Sequence, residues 1–304
     1  MKACVLHEVG LIRCENVHRP KPGSRDVLIR VAACGICGSD VPRIFEKGAH
    51  VMPIIPGHEF SGVVEAVGPQ APGSMLNARV AVFPVIPCRY CEACEIGAYA
   101  QCENYNYLGS RCDGAFAEYV VAPADNCLVL PDSVSFEAGA MVEPAAVAAH
   151  AVRRGGVKAG DVVAVFGAGP IGLLAAQWAR IHGAAAVWIV DVDNQKRAIA
   201  EAIGFAHFCN PQEQNVADVI RNAAKRGADV VIEATGATQA LEQAVQCARS
   251  FGSVALLGNP AGNMTLSQQA YWRVLRGELR LKGCWNSVFS RLRGNEWKLA
   301  LSCM

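Results

Sequence analysis

The sequence has no excess of charge of either sign and no hydrophobic run long enough to cross a membrane. Its 28 Lys and Arg residues and 27 Asp and Glu residues leave a net charge of +1, which provides no bulk field to attract nucleic acid or anionic lipid. The longest apolar run, Val162–Ala176, is interrupted by glycines and a proline and is shorter than a membrane span. Residues 1–10 contain too short an apolar stretch for a signal peptide. We therefore expect a cytoplasmic protein without a nucleic-acid or membrane partner.

Repeats and low-complexity tracts are also missing. The 29 glycines follow no three-residue period, which excludes a collagen-like chain. A content of 52% hydrophobic and 18% charged residues excludes intrinsic disorder. At roughly 150 residues per domain, the length of 304 residues predicts two domains.

The first half of the chain contains short β-type runs separated by glycine and proline. Several runs alternate apolar and polar residues at irregular spacing, which favours a mainly β domain of the sandwich or barrel type. The predicted strands are Val27–Ala32, Ser61–Val67, Ala78–Phe83 and Phe116–Val121. The pattern changes near residue 135, and Phe136–Arg153 has the periodicity of a helical connector.

From Asp161 onward, apolar strands alternate with helices, which predicts an α/β fold with a parallel, doubly wound sheet. The predicted strands are Val162–Phe166, Ala186–Val190, Asp229–Glu233, Ser253–Leu257 and Leu279–Cys284. The predicted helices are Ile171–Ile181, Gln195–Ile203, Asn215–Arg226 and Gln239–Ser250.

A glycine-rich turn of the form G-x-G-x-x-G follows the first of these strands. Its glycines are Gly167, Gly169 and Gly172, and Pro170 and Ile171 open the following helix. In this context the first glycine permits the tight turn, the second lets backbone approach a pyrophosphate, and the third allows close helix–strand packing. Backbone N–H groups at the helix start then bind phosphates, so the turn predicts a dinucleotide site.

Asp191 follows the second of these strands and lies 19 residues after Gly172. A carboxylate in that position accepts hydrogen bonds from the adenosine 2′-OH and repels a 2′-phosphate. The alternative role is that of an acid beginning the next helix. The mid-chain position of the glycine motif favours a nicotinamide over a flavin, and Asp191 favours NAD.

The 14 cysteines favour metal binding over a disulfide framework, because the chain is long and shows no export signal. Four of them, Cys88, Cys91, Cys94 and Cys102, lie in one short loop. Four thiolates can enclose Zn²⁺ tetrahedrally and leave no open position. We predict a zinc ion that orders this loop and does no chemistry.

A second set of metal-binding residues is dispersed along the chain. Cys37 lies in G-I-C-G-S-D, His58 in P-G-H-E, and Glu143 in M-V-E-P. Taken singly, they could be a core cysteine, a turn histidine and a surface acid of a helix. One Cys, one His and one Glu with water would make a catalytic zinc site with an open position.

These motifs, in this order, resemble the zinc-dependent medium-chain alcohol dehydrogenase superfamily over nearly the whole chain. The resemblance implies a GroES-like zinc-binding catalytic domain over residues 1–150 and a Rossmann NAD-binding domain over residues 151–287. Residues 288–304 would begin a return to the first domain. It also implies two zinc ions per chain and a homo-oligomer, either a dimer or a tetramer.

The resemblance also implies site roles. Cys37 and His58 match catalytic zinc ligands, and Glu143 matches the third position, where polyol and threonine dehydrogenases place Glu. Ser39 matches a hydroxyl relay that passes the proton outward, with a helix N-cap as its alternative. Asp40 would orient His58, and Glu59 would lie beside the zinc without being a permanent ligand.

Several further segments resemble the branch of the superfamily that oxidises galactitol 1-phosphate. They are Asp40–Phe45, Gly48–His50, Leu108–Arg111, Trp285 and Asn295–Trp297. The expected activity is hydride transfer from a secondary alcohol of a polyol phosphate to NAD. Arg43, Lys47 and Arg111 are cations that could meet the phosphate, although surface charge is the alternative for each.

Two alternatives to this function remain open at this stage. One is a sorbitol or L-threonine dehydrogenase, since these share the metal pattern. The other is a truncated, inactive protein that binds NAD and zinc. Its basis is that the chain stops within a helix predicted from residue 291, so we expect the first domain to lack C-terminal elements, with poor solubility or weak activity.

Overall fold

The computed structural model describes residues 1–260, 262–290 and 294–304, and the chain divides into two compact units. Unit 1 comprises Met1–Ala146 and Ser287–Met304, and unit 2 comprises Val147–Asn286. The start of the terminal helix predicted from residue 291 lies outside the described residues. No helix in the described part of the chain is both long and apolar enough to cross a membrane.

Unit 1 is built on an antiparallel five-stranded sheet in the order β8-β3-β4-β5-β9. Buried side chains such as Ile29, Phe60, Val64 and Val82 form its core. Two further two-stranded sheets pair β1 with β2 and β6 with β7. The strands are β1 (Lys2–Glu8), β2 (Leu11–Asn16), β3 (Asp26–Gly35), β4 (Glu59–Val67), β5 (Arg79–Val82), β6 (Val85–Ile86), β7 (Asn106–Tyr107), β8 (Tyr119–Pro123) and β9 (Cys127–Val129).

Three helices of this part of the chain are short, and the fourth has 14 residues. They are α1 (Asp40–Pro42), α2 (Glu92–Glu95), α3 (Phe136–Ala140) and α4 (Val142–Gly155), and a π-helical turn spans Arg43–Lys47. The predicted connector over Phe136–Arg153 is therefore two consecutive helices, α3 and α4. Ser135 caps α3, because its side chain accepts a hydrogen bond from the N–H of Ala138.

Unit 2 is a parallel six-stranded sheet in the order β12-β11-β10-β13-β14-β15. This is the strand order of a doubly wound dinucleotide-binding fold. Its strands are β10 (Val162–Phe166), β11 (Ala186–Val190), β12 (His207–Cys209), β13 (Ala228–Glu233), β14 (Ala248–Leu256) and β15 (Arg280–Gly283). Its helices are α5 (Pro170–Ile181), α6 (Gln195–Ala202), α7 (Val216–Ala224), α8 (Thr238–Cys247) and α9 (Gln268–Arg276).

One prediction for unit 2 is wrong in detail, and two of its elements were not predicted. The helix predicted over Gln239–Ser250 ends at Cys247, because Ala248 already pairs with Ala228 in the sheet. Strand β12, which is only three residues long, and helix α9 were not predicted. At the end of α8 and in β12, sheet pairing decides the structure where the local sequence gives another signal or none.

The segment from Ser287 onward belongs to unit 1. Its helix α10 (Glu296–Leu301) begins at Asn295, whose side chain accepts a hydrogen bond from the N–H of Lys298. Trp297 is fully buried against the rings of Phe83 and Phe289, and its Nε1 donates to Ser287 Oγ at 2.9 Å. An aromatic cluster therefore ties this segment to the unit that contains β5.

The glycine-rich turn between β10 and α5 gives each glycine a different role. Gly167 has a φ of +102°, which a side chain would strain. A Cβ on Gly172 would lie 1.8 Å from the carbonyl oxygen of Gly167, so helix and turn touch there. A Cβ on Gly169 would meet nothing within 4 Å, so this glycine faces open space.

We expect Gly172→Ala to lower the free energy of unfolding of unit 2 by about 3 kcal/mol or more, because the new methyl collides with rigid backbone. Gly169→Ala should cost at most about 1 kcal/mol, the scale of a changed N-cap. Urea denaturation followed by far-UV circular dichroism measures both. Equal midpoints for the two variants would contradict the close helix–turn contact.

Candidate active site and metal centres

The pairing of β3 with β4 brings the dispersed metal-binding residues together. Gly35, the last residue of β3, pairs with Glu59, the first residue of β4. Cys37 and His58 lie just beyond this pair. One ligand atom each from Cys37, His58 and Glu59 lies within 4.8 Å of the others. Gly35 makes this approach possible, because a Cβ there would lie 2.4 Å from Glu59 Oε2.

Asp40 is fully buried beside this set and contacts Cys37, His58 and Arg43. Its Oδ2 accepts a hydrogen bond from the N–H of Cys37 at 3.0 Å, and its Oδ1 lies 3.5 Å from His58 Nδ1. Within the described residues, His58 Nδ1 has no hydrogen-bond partner. With Nδ1 facing Asp40, Nε2 is the other ring nitrogen left for a metal ion.

Arg43 donates to Asp40 Oδ1 at 2.5 Å, and its side chain is only 17% exposed. The role of Arg43 as a phosphate contact stays a prediction, and the structure shows that this guanidinium is held by a buried carboxylate. Its position one helical turn after Asp40 explains the pairing, since residues three apart face each other.

Ser39 lies immediately before α1, but its side chain does not cap that helix. Its hydroxyl lies 3.3 Å from Cys37 Sγ and donates toward it. The N-cap alternative is therefore wrong. The hydroxyl is instead held against one of the predicted metal ligands, where a proton relay would have to be.

Glu143, the predicted third ligand, lies outside the compact set, whereas Glu59 lies inside it. Glu143 is buried at the start of α4. Burial raises its pKa to about 7, with His58 opposing the rise and the carboxylates of Glu59 and Asp40 adding to it. Burial also raises the pKa of Glu59.

The charges around His58 favour a bound cation. Burial by itself would lower the pKa of His58, but Asp40, Cys37 and Glu143 together raise it well above its ordinary value. Three buried carboxyl groups and a thiol thus face one imidazole and the Arg43 guanidinium. Sulfur, imidazole nitrogen and carboxylate are the donor types of catalytic zinc sites, so the residues fit Zn²⁺.

The four-cysteine loop also fits zinc. The sulfurs of Cys88 and Cys94 lie 3.9 Å apart, as do those of Cys91 and Cys102. Tetrahedral zinc with Zn–S bonds of about 2.3 Å would separate its sulfurs by about 3.8 Å. Hydrogen bonds from the N–H groups of Glu103 and Cys94 lower the pKa of Cys91 to about 6, whereas burial raises that of Cys94 to about 12. A cation would let all four thiols ionise together.

In unit 2, Asp191 directly follows β11, next to the glycine-rich turn. Its Oδ2 accepts hydrogen bonds from the N–H of Ala168 at 2.7 Å and from Lys196 Nζ at 3.0 Å. Its Oδ1 accepts from the N–H of Asp193 at 2.9 Å. Burial raises the pKa of Asp191, but these hydrogen bonds outweigh it and hold the pKa below its ordinary value.

Lys196 and Tyr107 were missed by the sequence analysis. Lys196 lies in the first turn of α6, and its spacing of five residues from Asp191 was the available signal. The ring of Tyr107 stands edge-on to the His58 ring at 5.5 Å, and no sequence pattern marks it. Tyr107 also adjoins Tyr105, over which the Arg111 guanidinium stacks at 4.5 Å.

Comparison with known proteins shows which family the chain resembles. Residues 23–132 match the alcohol dehydrogenase GroES-like domain, and residues 170–304 match the zinc-binding dehydrogenase family. The chain is 36% identical to galactitol 1-phosphate 5-dehydrogenase of Escherichia coli K12 over 99% of this chain and 87% of that protein. A crystal structure of galactitol-1-phosphate dehydrogenase from Escherichia coli matches with a TM-score of 0.94, covering 99% of this chain and 88% of that one.

Two other similar proteins differ from these in the substrate or the cofactor that they are named for. Sorbitol dehydrogenase of Bacillus subtilis is also 36% identical, over 86% of this chain and 76% of that protein. A zinc-binding dehydrogenase of Sinorhizobium meliloti 1021, solved bound to NADP, is 34% identical with a TM-score of 0.92, covering 99% of this chain and 88% of that one. The family of this chain follows from both family matches, from the 36% identity over nearly the full chain, and from the two-unit fold. The chain belongs to the zinc-dependent alcohol and polyol dehydrogenases of the medium-chain fold.

Proposed function

We propose that this protein oxidises a secondary alcohol of a polyol phosphate with NAD as hydride acceptor, and that galactitol 1-phosphate is its substrate. The observation that carries the proposal is the compact set of half-buried Cys37 and buried His58 and Glu59, backed by the buried Asp40. The 36% identity with galactitol 1-phosphate 5-dehydrogenase supports the choice of substrate.

Zinc bound by Cys37, His58 and a carboxylate would act as a Lewis acid and lower the pKa of the substrate hydroxyl. Oxidation removes one hydride, which NAD accepts, and one proton from that hydroxyl. Ser39 is the residue we assign to moving the proton outward, because its hydroxyl already lies against Cys37. Asp40 positions the imidazole by facing His58 Nδ1 and by holding the N–H of Cys37.

For zinc, we propose two ions per chain, a structural one in the four-cysteine loop and a catalytic one with Glu143 as third ligand. Cys94→Ser should leave one ion and lower the melting temperature, because structural zinc contributes folding energy. Glu143→Gln should lose the other ion and nearly all activity. The matched variant Glu59→Gln should keep both ions and lose roughly 10–100-fold in kcat/KM.

Elemental analysis of the fully loaded protein and its variants checks this assignment. One zinc or none in the parent protein would contradict the two-site proposal. Loss of an ion from Glu59→Gln, with retention in Glu143→Gln, would make Glu59 the third ligand.

For the cofactor, we propose a preference for NAD, because a 2′-phosphate would meet the ionised carboxylate of Asp191. We expect kcat/KM to be at least about tenfold higher with NAD than with NADP, the scale of one unfavourable charge contact. Asp191→Ala should reduce the ratio of kcat/KM with NAD to kcat/KM with NADP. An equal or reversed preference in the parent protein would show that Asp191 does not face the ribose.

For the substrate, we expect kcat/KM for galactitol 1-phosphate to exceed that for galactitol by about tenfold or more, the scale of one charge-assisted hydrogen bond. Arg111 is the proposed phosphate partner, since its buried Nε has no hydrogen-bond partner among the described residues. Arg111→Gln should reduce the ratio, and Arg30→Gln, which removes an exposed partner of Glu65, should not. An unchanged kcat/KM after dephosphorylation would contradict phosphate recognition.

A sorbitol-type polyol dehydrogenase is the second candidate, because the Bacillus subtilis sorbitol dehydrogenase is equally identical to this chain. It would oxidise unphosphorylated polyols at least as well as their phosphates. The same kinetic comparison therefore separates the two candidates.

We further propose that the protein is a homo-oligomer joined through β15. This strand ends the sheet and exposes Leu281, and α9 exposes Tyr271, Trp272 and Leu275. Exposed apolar side chains beside the open edge of a sheet favour association. Leu281→Arg should shift sedimentation toward the monomer, and Ile199→Arg, at an exposed position on α6, should not. A monomeric parent protein would contradict the proposal.

A further inference from the structure

Unit 2 contains a cavity of about 400 Å³ that is walled largely by arginine side chains. Its lining residues are Arg221, Arg226, Gly227, Arg249, Ser250 and Arg273. They come from the end of α7, the turn before β13, the start of β14, and α9. Four guanidinium groups from separate parts of the chain thus converge on one space.

The cavity lies at the opposite end of the sheet from the glycine-rich turn. In the parallel pairing of β10 with β13, Val163 lies beside Val230 and Phe166 beside Glu233. Gly227, which lines the cavity, precedes β13, so the cavity adjoins the end where strands begin. Gly167 and Asp191 follow β10 and β11, at the end where strands finish. The cavity is therefore separate from the predicted dinucleotide site.

Carboxylates near the cavity neutralise only part of its positive charge. Asp229 is nearly fully buried, and it accepts from Arg249 Nε at 2.5 Å and lies 3.2 Å from an Arg226 nitrogen. Asp218 accepts from Arg221 Nη1 at 2.9 Å. Among the described residues, two carboxylates thus form ion pairs with three of these four guanidinium groups. They also fix the orientation of Arg221, Arg226 and Arg249.

Arg273 has no carboxylate partner within the described part of the chain. Its Nη2 donates to the carbonyl oxygen of Ala248 at 2.5 Å, and its Nη1 lies 3.5 Å from Ser250 Oγ. Its Nε is buried and has no hydrogen-bond partner among the residues that the structure describes. Burial lowers the pKa of Arg273, and the nearby charge of Arg221 lowers it further. An arginine keeps its charge even so, and a buried donor without an acceptor is costly.

We propose that this cavity is a binding site for a phosphate group, either free phosphate or the phosphoryl group of a monoester. A phosphate dianion would balance the two uncompensated positive charges and offer acceptors to guanidinium donors. Arginine is suited to this ligand because its planar fork matches phosphate oxygens bidentately. A volume of 400 Å³ is within the range of small-molecule sites.

The test is calorimetric titration of the full-length protein with inorganic phosphate, against sodium chloride at equal ionic strength. Arg273→Gln should weaken phosphate binding by about tenfold or more, the scale of one charge-assisted hydrogen bond. Arg276→Gln is the matched control, because Arg276 lies on the same helix, stacks over Trp272 and does not line the cavity. Arg276→Gln should bind phosphate like the parent protein.

A second variant distinguishes a loss of phosphate binding from a loss of folding. The side chain of Arg226 is 56% exposed, so Arg226→Gln should melt like the parent protein and still bind phosphate more weakly. Parallel titrations with glycerol 3-phosphate distinguish the two sources of the group. Binding of both ligands, lost together in Arg273→Gln, assigns a monoester site, and binding of inorganic phosphate alone assigns a free-phosphate site.

Two results would overturn the proposal. One is phosphate binding no stronger than the chloride control. The other is equal phosphate affinity in the parent protein, Arg273→Gln and Arg226→Gln, which would place any binding elsewhere, including the cofactor turn or the zinc centre.

Discussion

The close approach of β3 and β4 at Gly35 and Glu59 is the constraint on which the candidate active site depends. A Cβ at position 35 would lie 2.4 Å from Glu59 Oε2, so the glycine leaves room for the Glu59 carboxylate where the two strands end. Buried side chains farther along the same strands, such as Ile29 and Val64, hold the register. A slip by one residue would turn Glu59 to the other face of the sheet.

That strand pairing concentrates negative charge where water is excluded. Asp40, Glu59 and Glu143 are all buried around His58, and burying like charges together is costly without a cation. The four-cysteine loop also places groups that ionise to anions close together. Its four thiols cannot all lose their protons without a cation. The two candidate centres differ in their donors. Four sulfurs would close one centre, whereas three protein ligands would leave a position for a substrate oxygen in the other.

The parallel sheet of unit 2 provides two separate places for anions. Parallel strands all begin at one end of the sheet and all finish at the other, so the two ends carry different loops. At the finishing end, a glycine-rich turn and the start of α5 offer backbone N–H groups beside Asp191. At the beginning end, arginine side chains from α7, β14 and α9 surround a cavity. One end therefore uses backbone donors and the other uses side-chain charge.

Features that depend on neighbouring residues could be predicted from the amino-acid sequence. The apolar runs of β10 and β11 predicted those strands with their observed bounds, and the glycine spacing predicted the turn between β10 and α5. The zinc loop also has its four cysteines within fifteen positions of the chain. These signals are local, because strand periodicity, turn geometry and loop ligands each involve residues that are close in sequence.

Contacts between residues far apart in the chain could be seen in the folded structure alone. It placed Glu59 in the compact set and Glu143 outside it, and it paired Arg43 with Asp40. It ended α8 at Cys247 because Ala248 pairs across the sheet, and it gathered Arg221, Arg249 and Arg273 around one cavity. Residue spacing carries no information about such contacts, since they depend on strand register and helix packing between segments far apart in the chain.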